Sequence, residues 1–252
     1  MSKPGRRIQL TLRIDGDAVP ISAPQPPARG RLDELLPAQR EIDNAAIGHA
    51  VRKAAAQGQH VSCAKGCSAC CRAQPVPVTP PEAHALLRLV EALPPPRRRD
   101  MDARFDANVG RLRDAGLADA FLQRPPGFTA AQARDLALRY FTLGLVCPFL
   151  IDDACSIHPQ RPFVCRQYLV SSDPALCADP FANALDVIPM PLHAATADLA
   201  MAEAALGRPQ HTVPLVLALE YARVHREELE RRFDSEPLFR QWLQALARDG
   251  EA

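Results

Sequence analysis

The chain has 252 residues, of which 30 are basic, 29 acidic and 5% aromatic. Balanced charge and scarce stacking rings exclude nucleic acid as a partner class, and this length buries a sizeable core without covalent staples. No stretch approaches the roughly 18 apolar residues of a membrane span, so a membrane is excluded as well.

Proline, with 25 residues, is about twice as frequent as usual, which predicts short helices joined by stiff corners. The opening MSKPGRRIQLTLRIDGDAVPIS is basic but lacks the apolar run of a signal peptide, so the expected compartment is the cytoplasm. Within it Ile8, Leu10, Leu12 and Ile14 alternate with polar residues, Asp15-Gly16 follows and DAVPIS returns. That pattern predicts a short β-hairpin. Residues 21–30 (ISAPQPPARG) have the composition of a linker, and a helix is predicted from about Arg31 to Ala56.

Thr79-Pro80-Pro81-Glu82 is a capping box with proline in the first turn. The helix it starts carries Ala83, Leu86, Leu87 and Val90 on one face and should stop before PPPRRRD, residues 94–100. That basic run is taken as a solvated corner between helices in preference to a phosphate site. Met101, Phe105, Val109 and Leu112 form the next helical stripe, and Thr129 to Gln132 repeats the capping box of a helix stopped near Gly144. Helices follow at about 194–206, 214–232 and 236–248, the last with Phe239, Trp242, Leu243 and Leu246 inward. No internal repeat recurs.

The fold class expected is mainly α: an irregular helical domain organised around a cysteine-rich metal site, with a short N-terminal β-hairpin. Its divisions are an N-terminal arm and linker (1–30), a cysteine-cluster metal-binding domain (31–182), and C-terminal helices packed on the same domain (183–252).

The cysteines fall in two groups, Cys63, Cys67, Cys70 and Cys71 and then Cys147, Cys155 and Cys165, with Cys177 further on. Eight thiols in a reducing compartment point to metal or catalysis rather than disulfides. A continuous helix through the first group would place Cys63 and Cys71 about 12 Å apart along its axis. One tetrahedral ion with bonds of about 2.3 Å cannot span that. Gly66 permits the chain to curl back. A single zinc needs only four thiols, so the surplus suits an iron–sulfur cluster, a multinuclear site, or one metal with resolving thiols, and zinc stays open. The Cys63-x3-Cys67-x2-Cys70 spacing is also that of radical-SAM enzymes, but the strand–helix alternation of their barrel is missing.

Together, GCSACCRAQPVPVTPPEA and CPFLIDDACSIHPQRPFVCRQYLV resemble the YkgJ-type cysteine-cluster family, described as zinc- or iron-chelating. The elements shared are Cys67, Cys70 and Cys71; then Cys147, Pro148, Phe149 and Leu150; then Cys155; then Arg161, Pro162, Cys165 and Arg166. They span about residues 60–180. The candidate metal ligands are Cys63, Cys67, Cys70, Cys71, Cys147, Cys155 and Cys165. Cys177 lies outside the core pattern, and His158 stands where the family commonly has tyrosine. Arg72, Arg161 and Arg166 are the candidate cofactor-contacting residues, because guanidinium groups would offset thiolate charge and favour metal loading.

The resemblance implies metal chelation. Some relatives resemble flagellin lysine-N-methylase, which implies methyl transfer to protein lysines, yet no glycine-rich strand-to-helix fingerprint or phosphate loop is present. The function expected is a cytosolic metal-binding protein holding an iron–sulfur cluster or zinc. The alternatives are an iron–sulfur-dependent enzyme, methyltransferase-like or redox, and a thiol redox protein using Cys67 and Cys70. Whether the chain is an enzyme is left open. The partner expected is the metal ion, and a protein partner for the C-terminal helices stays open.

Overall fold

The computed structural model describes residues 6–64, 66–124 and 127–249. The opening alternation forms β1 (Arg7–Ile14) and β2 (Asp17–Pro24), paired antiparallel from Arg7↔Pro24 to Ile14↔Asp17. Asp15 and Gly16 turn the hairpin at φ 52° and 88°, the left-handed pair that suits a tight two-residue turn and that Asp-Gly supplies. Lys53 Nζ pins this turn through Asp15 Oδ2 at 2.7 Å. The residues marked as a linker are engaged in pairing: Ile21 to Pro24 complete β2, and β3 (Arg29–Gly30) pairs with the late strand β8 (Phe233–Asp234).

Helix α1 (Leu36–Ala56) follows a 3-10 turn at Leu32–Leu35, filling the predicted span. Both capping boxes form as read, Thr79 starting α2 (Pro80–Glu91) and Thr129 starting α5 (Ala130–Phe141). Between them lie α3 (Pro95–Asp114) and α4 (Ala118–Leu122). The basic run is therefore not a corner but the first turns of α3, because Pro95 and Pro96 carry the fixed φ that a first helical turn wants. A second difference concerns the predicted helix over 214–232. Val213–Pro214 forms a strand, β7, against β4 (Pro77–Val78), Leu215–Leu217 is a 3-10 turn, and only then come α8 (Ala218–Val224) and α9 (Arg226–Leu229). Pro214 cannot continue a helix from its N-terminal side, and Leu215 N–H instead donates to Val76 O at 2.8 Å.

The remaining helices are α6 (Phe163–Gln167), α7 (Ala194–Leu206) and α10 (Ser235–Asp249), and β5 (Leu150–Ile151) pairs with β6 (Ala154–Cys155). The protein is mainly α, 54% helical, and its strand pairs are short and antiparallel. Among the described residues no helix is long and apolar enough to cross a membrane.

Three apolar clusters hold this together. The first joins the hairpin and α1 to α7, α10 and Phe163, with Trp242 fully buried and stacked on Phe239 at 5.9 Å. The second packs α2, α3 and α8 around Phe149 and Ile157, where Phe105 meets Phe149 edge-on at 5.4 Å. The third gathers α3, α4 and α5 against Leu217.

A polar layer crosses the interior between α1, α2 and α7. Thr79 Oγ1 donates to Asp198 Oδ2 at 2.5 Å and Gln39 Nε2 donates to Asp198 Oδ1 at 3.2 Å. Burial, reinforced by the nearby Glu82 carboxylate, pushes the Asp198 carboxyl up to about 7 from its usual 3.8. The folded state therefore holds a proton that the unfolded chain releases, and stability should fall as pH rises from about 4 to about 7. Asp198→Asn is expected to flatten that slope and to raise stability at about pH 8 by as much as ~4 kcal/mol. Urea unfolding of parent and variant at both ends of the window checks it, and parallel pH profiles for the two would refute the assignment.

Candidate metal centre

The cysteine segment is laid down by turns rather than by regular structure. Gly66 at φ 91° curls the chain, and Cys67 N–H closes a turn onto Ala64 O at 3.0 Å. The helical stripe is thus broken where the distance argument required it. Cys71 N–H then bonds Ser68 O at 3.0 Å, and Cys70–Arg72 is a single 3-10 turn.

Long-range hydrogen bonds bring the second group to the first. Cys147 N–H donates to Cys71 O at 2.7 Å. The β5–β6 hairpin that follows sets Cys155 opposite Leu150, its turn made by Asp152 and Asp153 at φ 48° and 56°. Asp153 is in turn ion-paired to Arg72 on the first segment. Cys165 arrives on α6. Ser62 bonds Val170 O and Ser172 O at 3.0 and 2.6 Å, and Gln74 Nε2 reaches Cys177 O at 3.2 Å, so the stretch after α6 folds back onto both ends of the first segment.

The thiols sense one another. Burial, then the charges of Cys147, Cys70 and Cys155 among others, push the Cys165 thiol far up. Burial pushes Cys147 up to about 12, with Cys155 and Cys70 adding to it. Cys155 is raised by burial and by Cys70, against the pull of the Arg161 guanidinium. Cys70 is raised by its hydrogen bond with Cys71 and by burial. Cys70, Cys147, Cys155 and Cys165 therefore form an inner nest. A second, outer group meets it at Cys70: the buried Cys177 is raised by burial and then by Cys63, Cys70 and Cys67. Cys67 is exposed. All eight thiols are free, as a reduced cluster requires.

Among the described residues no three His, Cys, Asp or Glu side chains are already closed into a metal-ligating arrangement. The donor chemistry nevertheless fits a soft or borderline cation. Four half-buried sulfurs stand where ionised thiolates would repel, and a bound cation relieves that repulsion.

The three arginines differ. Arg166 is buried and committed to scaffolding: Nε donates to Arg161 O at 3.0 Å, Nη1 to Asn44 Oδ1 at 2.7 Å, and Nη2 to Pro159 O. Arg161 acts on Cys155, as above. Arg72 is half exposed and holds Asp153 and, at 3.2 Å, Ser68. His158 is exposed, and the Arg161 charge, with some burial and Arg166, draws its imidazole below the ordinary range.

Two contributors escape the spacing argument. Cys177 sits beyond the family's core pattern, and only the return of the chain after α6 places it beside Cys63. Glu82 is legible as a capping residue, but not its second role. Its fully buried carboxylate accepts Thr79 N–H at 3.0 Å within the cap and Phe163 N–H at 2.6 Å, the first amide of the helix bearing Cys165. Glu82→Ala leaves both amides without a partner, and a stability loss of about 3 kcal/mol is expected. Glu82→Gln keeps an oxygen for Phe163 and should lose less than half as much. Chemical unfolding of the two variants tests this; equal losses would show that the Phe163 bond contributes nothing.

Residues 62–183 match the family model CxxCxxCC, described as "Putative zinc- or iron-chelating domain". No curated protein and no solved structure matches the chain. The matched segment contains all eight cysteines, the β5–β6 hairpin and α6. Residues 62–183, just under half of the chain, are thus similar to the CxxCxxCC domain by this match.

Proposed function

We propose that the chain is a cysteine-cluster metalloprotein in which Cys70, Cys147, Cys155 and Cys165 hold zinc or iron. Cys71, Cys63, Cys67 and Cys177 extend the donor set outward. The observation that carries this reading is the 2.7 Å hydrogen bond from Cys147 N–H to Cys71 O, which joins two cysteine groups far apart in the sequence. Sulfur donors alone suit a zinc ion or an iron–sulfur cluster. Bound metal would supply a cross-link between the β5–β6 hairpin, α6 and the first cysteine segment, and with iron–sulfur an electron-carrying centre as well. Arg161 sits where it offsets thiolate charge at Cys155, while Arg166 and Arg72 fix the loops that present the ligands.

Metal and acid-labile sulfide are to be measured on protein purified without oxygen, together with an absorption spectrum. Iron with sulfide and a broad visible band would assign a cluster and direct attention to redox or transfer chemistry. Colourless protein holding zinc would assign a structural or metal-handling site. Cys70→Ser and Cys165→Ser are expected to remove most of the bound metal and to destabilise the protein, and Cys177→Ser to remove less. Unchanged metal content in Cys70→Ser and Cys165→Ser would take the inner nest out of the site.

A further inference from the structure

A cavity of about 450 Å³ lies on the outer side of the cysteine hairpin, between that hairpin, the end of α2 and the start of α3. This is within the range of small-molecule sites. Its floor is apolar, built from Leu93, Met101, Phe149, Ile151 and Ile157. Its rim is charged: Arg97 and Arg104 come from one face of α3, where Met101 separates them, and Asp100 lies beside them. Ser156 and Gln160 complete the rim, and Ser156 directly follows Cys155.

The arginine run supplies this rim. Arg98 is engaged by Asp102 at 3.6 Å, and Arg104 donates Nη1–H to Leu150 O at 3.1 Å. Among the described residues neither Arg97 nor Arg104 is ion-paired with a carboxylate, although both line the cavity. Two guanidinium groups and one carboxylate leave the rim with one net positive charge. An apolar floor under such a rim selects a molecule with a hydrocarbon body and one anionic group, and the planar guanidinium fork matches a carboxylate.

We propose that this cavity binds a small amphiphilic monocarboxylate, its hydrocarbon body on Met101, Phe149 and Ile157 and its carboxylate between Arg97 and Arg104. A dianion is disfavoured by Asp100, and an alkylammonium by the two arginines. Phe149 and Ile157 flank Cys155 in the sequence, so an occupant would touch the loop that presents that thiol. The site does not rest on the metal reading, because no cysteine lines it.

The test is isothermal titration of the full chain, as purified, with octanoate below its micellar concentration and with octylammonium as the charge-reversed probe. Saturable octanoate binding is expected, with octylammonium weaker by about tenfold or more. Arg97→Glu should weaken octanoate by at least about tenfold, one charge-assisted bond being replaced by a repulsion. Its new carboxylate falls in the first turn of α3, where a helix tolerates negative charge. Asp100→Asn should tighten octanoate and serves as a second variant of opposite sign. Non-saturable octanoate uptake, equal affinity for the two probes, or unchanged octanoate affinity in both variants would each overturn the proposal.

Discussion

One carboxylate ties the cysteine site to the helical scaffold. Glu82 is fully buried and spends its two oxygens on the amides of Thr79 and Phe163, at the starts of α2 and α6. Helix starts leave amides unpaired, and in a dry interior an unpaired amide is costly. Satisfying both with one side chain fixes the two helices at a common origin. Cys165 sits in the first turn of the second helix, so its position follows from the cap of the first.

Around that anchor the site is built from mutual constraint rather than from a preformed cage. The first segment brings four sulfurs, and the loop before the hairpin, the hairpin, α6 and the return after α6 bring one each. The loops are fastened by backbone hydrogen bonds and by Arg166, while Arg72 and Asp153 fasten the first segment to the hairpin. Burial and neighbouring sulfurs all act in the same direction on the inner thiols, keeping them protonated when no cation is present. Uptake of metal and release of protons are then two sides of one equilibrium.

Much of this was legible in the sequence because it is local. Alternation with an Asp-Gly turn marked the hairpin, two capping boxes marked α2 and α5, and the Phe239/Trp242/Leu246 stripe marked α10. Gly66 marked the bend that a shared site requires. What the sequence hid was tertiary. Val213 and Pro214 form a strand rather than a helix start, the Leu215 amide bonding the Val76 carbonyl, and the arginine run is helical because two prolines start α3. Cys177 joins the thiols only through a chain reversal that no spacing rule encodes. The long reach of Glu82 was masked by its ordinary local role.

The principal apolar cluster draws on residues from Ile14 to Ala46, on Phe163, and on residues from Leu192 to Leu246. The last thiol, Cys177, precedes α7 and α10 in the chain. During synthesis, therefore, the whole sulfur complement is present before the hairpin and α1 have the helices they pack against. The hairpin and α1 therefore complete their core only after the last of these thiols has been made. The nascent chain passes through an interval in which all eight thiols are present while the hairpin and α1 still lack the helices they pack against.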